Sequence, residues 1–148
     1  MQLEIVTPEK TIYTGEVDEI VVNTADGEIA VLPHHVNLMT KVLPGEMTLK
    51  ISGKTQYLAI TGGFLEVINN KISLLADYAV RAEEIEINKA LEAQKRAEDI
   101  IKKKESGITA QDFANAQAEL AKAILELKVA RRRHVERGSR GSNVPSQS

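Results

Sequence analysis

The chain has 148 residues, a net charge of −2, no cysteine and no tryptophan. The missing thiols exclude disulfides and thiolate metal sites, and the small negative charge offers nucleic acid or anionic lipid no general attraction. No apolar run nears the roughly 20 residues that a helix needs to cross a bilayer, and the alternating Gln2-Leu3-Glu4-Ile5 directly after Met1 reads as a strand rather than a signal peptide.

From the start to about residue 80 the pattern predicts β-structure throughout. Short apolar runs at Leu3 and Ile5 and from Ile12 to Val17 flank a turn at Thr7-Pro8-Glu9-Lys10. Ile20 to Val22 lead into Asp26-Gly27, a hairpin signal because glycine accepts positive φ at little cost. The stretch DGEIAVLPHHVNLMTKVLPG then carries a polar excursion around His34-His35. Pro33 places that excursion at or beyond a strand end, since proline cannot donate to a ladder. Pro44-Gly45 fits the centre of a type II turn. Met47 to Ile51 alternates as a half-buried strand should, and turns at Ser52-Gly53, Gly62-Gly63 and Asn69-Asn70 divide three further strands. Gly62-Gly63 reads as a hairpin hinge. Many short strands with turn signals about every 8 to 12 residues indicate an all-β sandwich or barrel.

At Val80-Arg81-Ala82 the composition changes to Ala, Glu, Lys, Gln and Leu. Acidic Glu83, Glu84 and Glu86 sit where the predicted first helix begins and Lys102 to Lys104 where it ends, the order that the helix dipole favours. Ser106-Gly107 breaks it, and Thr109 with Asp112 resembles a capping box for a second helix ending near Arg133. Phe113, Ala116, Leu120, Ala123, Leu127 and Ala130 repeat in alternating threes and fours, a coiled-coil seam. Two helices joined by so short a break form an antiparallel hairpin. The divisions expected are 1–82 for the sandwich, 83–135 for the hairpin and 136–148 for a tail of disordered composition.

His34 and His35 lack neighbouring ligands at metal spacing, and no nucleophile elbow or phosphate loop is present, so neither a metal site nor catalytic residues are expected. The arginines from Arg131 to Arg140 read either as cations at a helix C-terminus or as a docking site for an acidic surface. From periodicity alone the hairpin also suits a free-standing adaptor for a helical partner, and an arginine-rich end could serve nucleic acid.

TPEKTIYTGEVDEIVV, DGEIAVLPHHVNLMTKVLPG, YLAITGGFLEV, ADYAVRAEEI and AELAKAILELKV, in that order and spacing, resemble the epsilon subunit of the F-type rotary ATP synthase. The resemblance covers residues 1 to about 133. It implies a sandwich of about ten strands followed by a two-helix hairpin, and a non-catalytic central-stalk subunit. Such a subunit binds the gamma stalk and the membrane rotor ring, couples proton or sodium-ion flow to ATP synthesis, and inhibits ATP hydrolysis when its hairpin extends toward the catalytic beta and alpha subunits. It further implies a peripheral position on the cytoplasmic face of a bacterial membrane, or on the stromal face of a thylakoid, without transmembrane insertion or nucleic-acid binding. The family's glycine-glutamate pair and loop histidine fall on Gly27, Glu28 and His35, as contacts to stalk and ring, whereas Ala30 and His34 stand where glycine is common. Arg131, Arg132 and Arg133 fall where the hairpin would meet the catalytic subunits. In ATP-binding members a motif of the form Ile/Leu-Asp-x-x-Arg-Ala matches Ile85 to Ala90, with Glu86 and Lys89 in place of Asp and Arg. With Arg96, Lys122 and an unfavourable Glu126, this implies at most a weak regulatory ATP site and no other cofactor.

Overall fold

In the computed structural model, described for residues 1–103 and 107–142 with side chains as far as Arg132, the chain divides into two compact units, Met1–Ala82 and Glu83–Ser148. The first contains β1 (Gln2–Val6), β2 (Thr11–Glu16), β3 (Glu19–Thr24), β4 (Gly27–Val31), β5 (Leu38–Val42), β6 (Gly45–Ile51), β7 (Lys54–Ile60), β8 (Gly63–Ile68), β9 (Lys71–Ala76) and β10 (Ala79–Arg81). The continuous order is β10-β7-β6-β3-β5-β8-β9-β1-β2, with β4 on the other side of β3. Only Thr24 and Val42 pair β3 with β5, so the sheet folds there into two layers. One holds β10, β7, β6, β3 and β4; the other holds β5, β8, β9, β1 and β2. Period-two alternation aims Leu3, Ile5, Ile20, Met47, Leu49, Leu65, Ile72 and Leu74 between the layers, where all are buried.

The hairpin turns follow their residues. Ser52-Gly53 and Asn69-Asn70 all take positive φ (52°, 79°, 48° and 66°), as two-residue hairpin turns of matching twist require. Two other turn expectations are corrected. Gly62-Gly63 is no hairpin hinge, because β7 pairs with β6 and β10 while β8 pairs with β5 and β9. The pair instead carries the chain from one layer to the other, beside the return crossing at Asp77-Tyr78. Thr61 N–H donates to Tyr78 O at 3.1 Å and Asp77 N–H to Gly62 O at 3.0 Å. Gly63 is required by this crossing, since a Cβ there would strike the Leu75 carbonyl oxygen. Gly45 likewise is not the left-handed residue of a type II turn. It begins β6, and its missing side chain makes room for the Asn23 amide.

The boundary between the units falls within a 3-10 turn at Ala82–Glu84, and the second unit contains α1 (Ile87–Lys102) and α2 (Ala110–Ser142). Thr109 caps α2, its Oγ1 accepting from Asp112 N–H at 3.0 Å. The helices pack on each other, and the short connection between them makes the pair antiparallel. The seam is buried at Ala90 and Ala97 on α1 and at Ala116, Ala123, Leu127 and Ala130 on α2, but Ile87 at the start of α1 is exposed. α2 continues past Arg133 to Ser142, so residues 136–142 are helical rather than part of a disordered tail. Its arginines and Glu136 suit a helix, and Gly138 lowers helix propensity without removing a hydrogen bond. Residues 143–148 lie outside the described residues.

Candidate functional site

The loop at 32–37 joins β4, an edge of the first layer, to β5, an edge of the second. Gly27 opens β4 at φ 112°, a conformation that only glycine takes without strain. The preceding turn is stabilised by the buried Thr24 hydroxyl, which donates to Gly27 O at 2.7 Å and accepts from Asp26 N–H at 3.2 Å. Glu28 follows, exposed and opposite Asn23. Ala30, opposite Val21, continues the same ladder without a glycine.

Beyond Val31 the chain turns sharply. His35 N–H donates to Leu32 O at 3.1 Å, with Pro33 and His34 between them and His34 at φ 65°. Proline followed by a left-handed residue marks a type II turn, a geometry that glycine would adopt at position 34 without strain. His34 occupies that conformation despite its Cβ. Its own N–H, which such a turn directs outward, donates to Asn70 Oδ1 at 2.8 Å. A second bond runs the opposite way, from Asn69 N–H to Asn37 Oδ1 at 3.0 Å. The turn between β8 and β9 and the loop thus hold each other.

His35 is half-buried rather than an open contact residue, while His34 is exposed. The His35 ring stands 2.8 Å from Val36 O through Nδ1. A carbonyl only accepts, so Nδ1 carries the proton and Nε2 is the ring's remaining polar atom. Glu28 and His35 sit on one strand-and-loop segment but flank its length. Val31 alone is roughly 10 Å along the strand from Glu28. Around the loop the surface is apolar: Leu32, Val36, Met39 and Ile68 are exposed, Val36 to 76% and Met39 to 70%. Sequence reasoning missed Asn37, Asn69 and Asn70. The Asn-Asn pair was legible as a turn, but not the use of its side chain as an acceptor.

The other candidates lie in the helical unit. Lys89 Nζ and Glu86 form an exposed ion pair at 3.0 Å. They therefore neutralise one another at the start of α1 instead of presenting a lone cation to phosphate. Arg96 is exposed two turns along α1, and Lys122 is half-buried on α2. Arg131 and Arg132 are exposed on α2, and the side chain of Arg133 lies outside the described residues.

Residues 1–82 match the family described as the beta-sandwich domain of the ATP synthase Delta/Epsilon chain, and residues 83–131 match the corresponding long alpha-helix domain. An ATP synthase epsilon chain of Dehalococcoides mccartyi is 44% identical over 134 residues, covering 90% of this chain and 94% of its own. One from Desulforamulus reducens is 41% identical over 129 residues, covering 87% and 96%. Among solved structures, a chain of the Euglena gracilis mitochondrial ATP synthase, in an OSCP/F1/c-ring assembly, superposes with a TM-score of 0.65 at 27% identity. It covers 86% of this chain and 78% of that one. A chain from the central stalk and c-ring of the Tetrahymena thermophila enzyme shares the fold, with a TM-score of 0.56 at 15% identity over 88% and 96% of the two chains.

Proposed function

Because the chain belongs to the family of ATP synthase epsilon chains, components of the central stalk of that complex, we propose that it couples ion flow through the membrane ring to ATP synthesis and restrains ATP hydrolysis through its helices. The observation that carries this reading is the match of both units, in order, to the two domains of one family. The likeness to a chain solved in an assembly with a c-ring supports the same placement.

In this reading the sandwich attaches to a gamma-type stalk and to the ring, with Gly27, Glu28 and the loop of His35 at the contact. Exposed Leu32, Val36 and Met39 supply apolar area there, and Glu28 and His35 supply polar selectivity, the usual division within an interface. The subunit works peripherally at the cytoplasmic face of a bacterial membrane. No described helix is long and apolar enough to cross one. The hairpin acts on the catalytic subunits, with Arg131 to Arg133 drawn to an acidic segment. ATP is at most a weak regulatory ligand at Glu86, Lys89, Arg96 and Lys122.

The test is reconstitution with stalk and ring subunits. Glu28→Ala and His35→Ala should each leave the melting of the free subunit nearly unchanged, as substitutions away from a packed core usually do, while weakening its retention on stalk and ring. Loss of folding without a separate effect on assembly would make these residues structural and sink the assignment.

A further inference from the structure

The loop reaches its conformation at a local cost. Its turn places a histidine at φ 65°, a region that disfavours a residue with a Cβ by about 1–2 kcal/mol. A six-residue connection with that penalty would sample many conformations if nothing else held it. Two reciprocal side-chain bonds hold it. Asn70 Oδ1 accepts from the loop at His34 N–H, and Asn37 Oδ1 accepts from the opposing turn at Asn69 N–H. The opposing turn is itself tied into the sheet. Asn69 and Asn70 both sit in the left-handed region, and Asn70 O receives Gln2 N–H at 3.2 Å, which ties the turn to β1 as well.

We infer that Asn70 and Asn37 are positioning residues of the contact site: they preform the His34-His35 loop against the Asn69-Asn70 turn, so that it docks without first being ordered. The inference rests on the loop being the contact surface, as proposed above. Its physical content is preorganisation, in which ordering that is complete before binding no longer subtracts from affinity. Asn70 matters doubly, because its carboxamide satisfies the amide that a type II turn leaves pointing outward. His34 and Asn70 should therefore be coupled. With glycine at position 34 the turn forms without strain, and the clamp becomes dispensable.

The variants can separate the clamp from the turn that bears it. Asn70→Gly removes the acceptor yet keeps a residue at ease at positive φ, and Asn70→Asp retains an acceptor in the same place. Amide hydrogen exchange of the full-length free subunit reads the clamp directly. Asn70→Gly should lower protection at His34 about tenfold, the scale of one lost hydrogen bond, with β-strand amides unchanged and with Asn70→Asp restoring it. Retention on stalk and ring reads the consequence. Asn70→Gly and Asn37→Ala should each weaken it about three- to tenfold, and His34→Gly in the Asn70→Gly background should recover most of the loss. Unchanged exchange at His34 in Asn70→Gly overturns the clamp. Changed exchange with undiminished retention overturns its role in docking. If Glu28→Ala and His35→Ala also leave retention untouched, the contact assignment fails as well, while the exchange data still decide whether the clamp exists.

Discussion

Arg81 Nη2 donates to the carbonyl oxygen of Ile12 at 2.9 Å, and its guanidinium lies 5.5 Å from the centre of the Tyr13 ring. These residues belong to β10 and β2, the two ends of the strand path. Ile12 is free to accept because the register slips there: Ile5 pairs with Tyr13 and Val6 with Thr11, leaving Ile12 as the bulged residue. A side chain thus joins two edges that no backbone ladder connects. Arg81→Ala should destabilise the subunit by about 2 kcal/mol, from one charge-assisted bond and one cation–π contact. Urea unfolding checks this; an unshifted midpoint would show that the edges do not depend on the clasp.

Gly63→Ala should be far more damaging than Gly53→Ala. At Gly53, φ is 79° with open space beyond, so alanine there costs only the local strain of about 1–2 kcal/mol. At Gly63 the new Cβ would meet the Leu75 oxygen and stand 2.9 Å from Ala76 Cα, all of it backbone. Relief requires moving the crossing itself, and a loss above about 4 kcal/mol is expected. Equal melting temperatures for the two variants would contradict that account.

ATP should bind the isolated chain weakly, with Kd no tighter than about 1 mM. Lys89 is held by Glu86, and lysine lacks the fork that grips two phosphate oxygens. Exchanging Glu86→Asp and Lys89→Arg together should tighten binding about tenfold. Titration calorimetry that finds tight, stoichiometric binding by the unaltered chain would refute this.

Removing residues after Ala82 should raise ATP hydrolysis by the assembled complex roughly fivefold or more, the lower range of ordinary coupling between sites, with assembly intact. α2 has 33 residues and therefore spans about 50 Å, a useful reach toward catalytic subunits. Its alanine-rich seam buries little area per residue, which suits an element that must change partners. Arg131→Ala with Arg132→Ala should release part of the inhibition, and added salt should act in the same direction. Equal hydrolysis with and without the helices, under every nucleotide condition, would exclude them as inhibitors.

Local chemistry alone determined much of this chain. Ser52-Gly53 and Asn69-Asn70 announce their turns because few residues tolerate positive φ. Alternation marks the core face of each strand, and the change of composition at Ala82 separates β from α because strand and helix favour different side chains. The five segments in register were enough to indicate the family. Which strands meet was decided only by tertiary structure. β1 lies parallel to β9, although nearly seventy residues separate them along the chain, and no short window encodes such a pairing. For the same reason Gly62-Gly63 reads as a hairpin but serves as a crossing, and Gly45 looks like a turn glycine but makes room for Asn23. The candidate site divides in the same way. Gly27, Glu28 and His35 were marked out by the resemblance to the family. The left-handed His34 and its hold on Asn70 were not, because a side chain 36 residues away supplies the acceptor that makes that backbone tolerable.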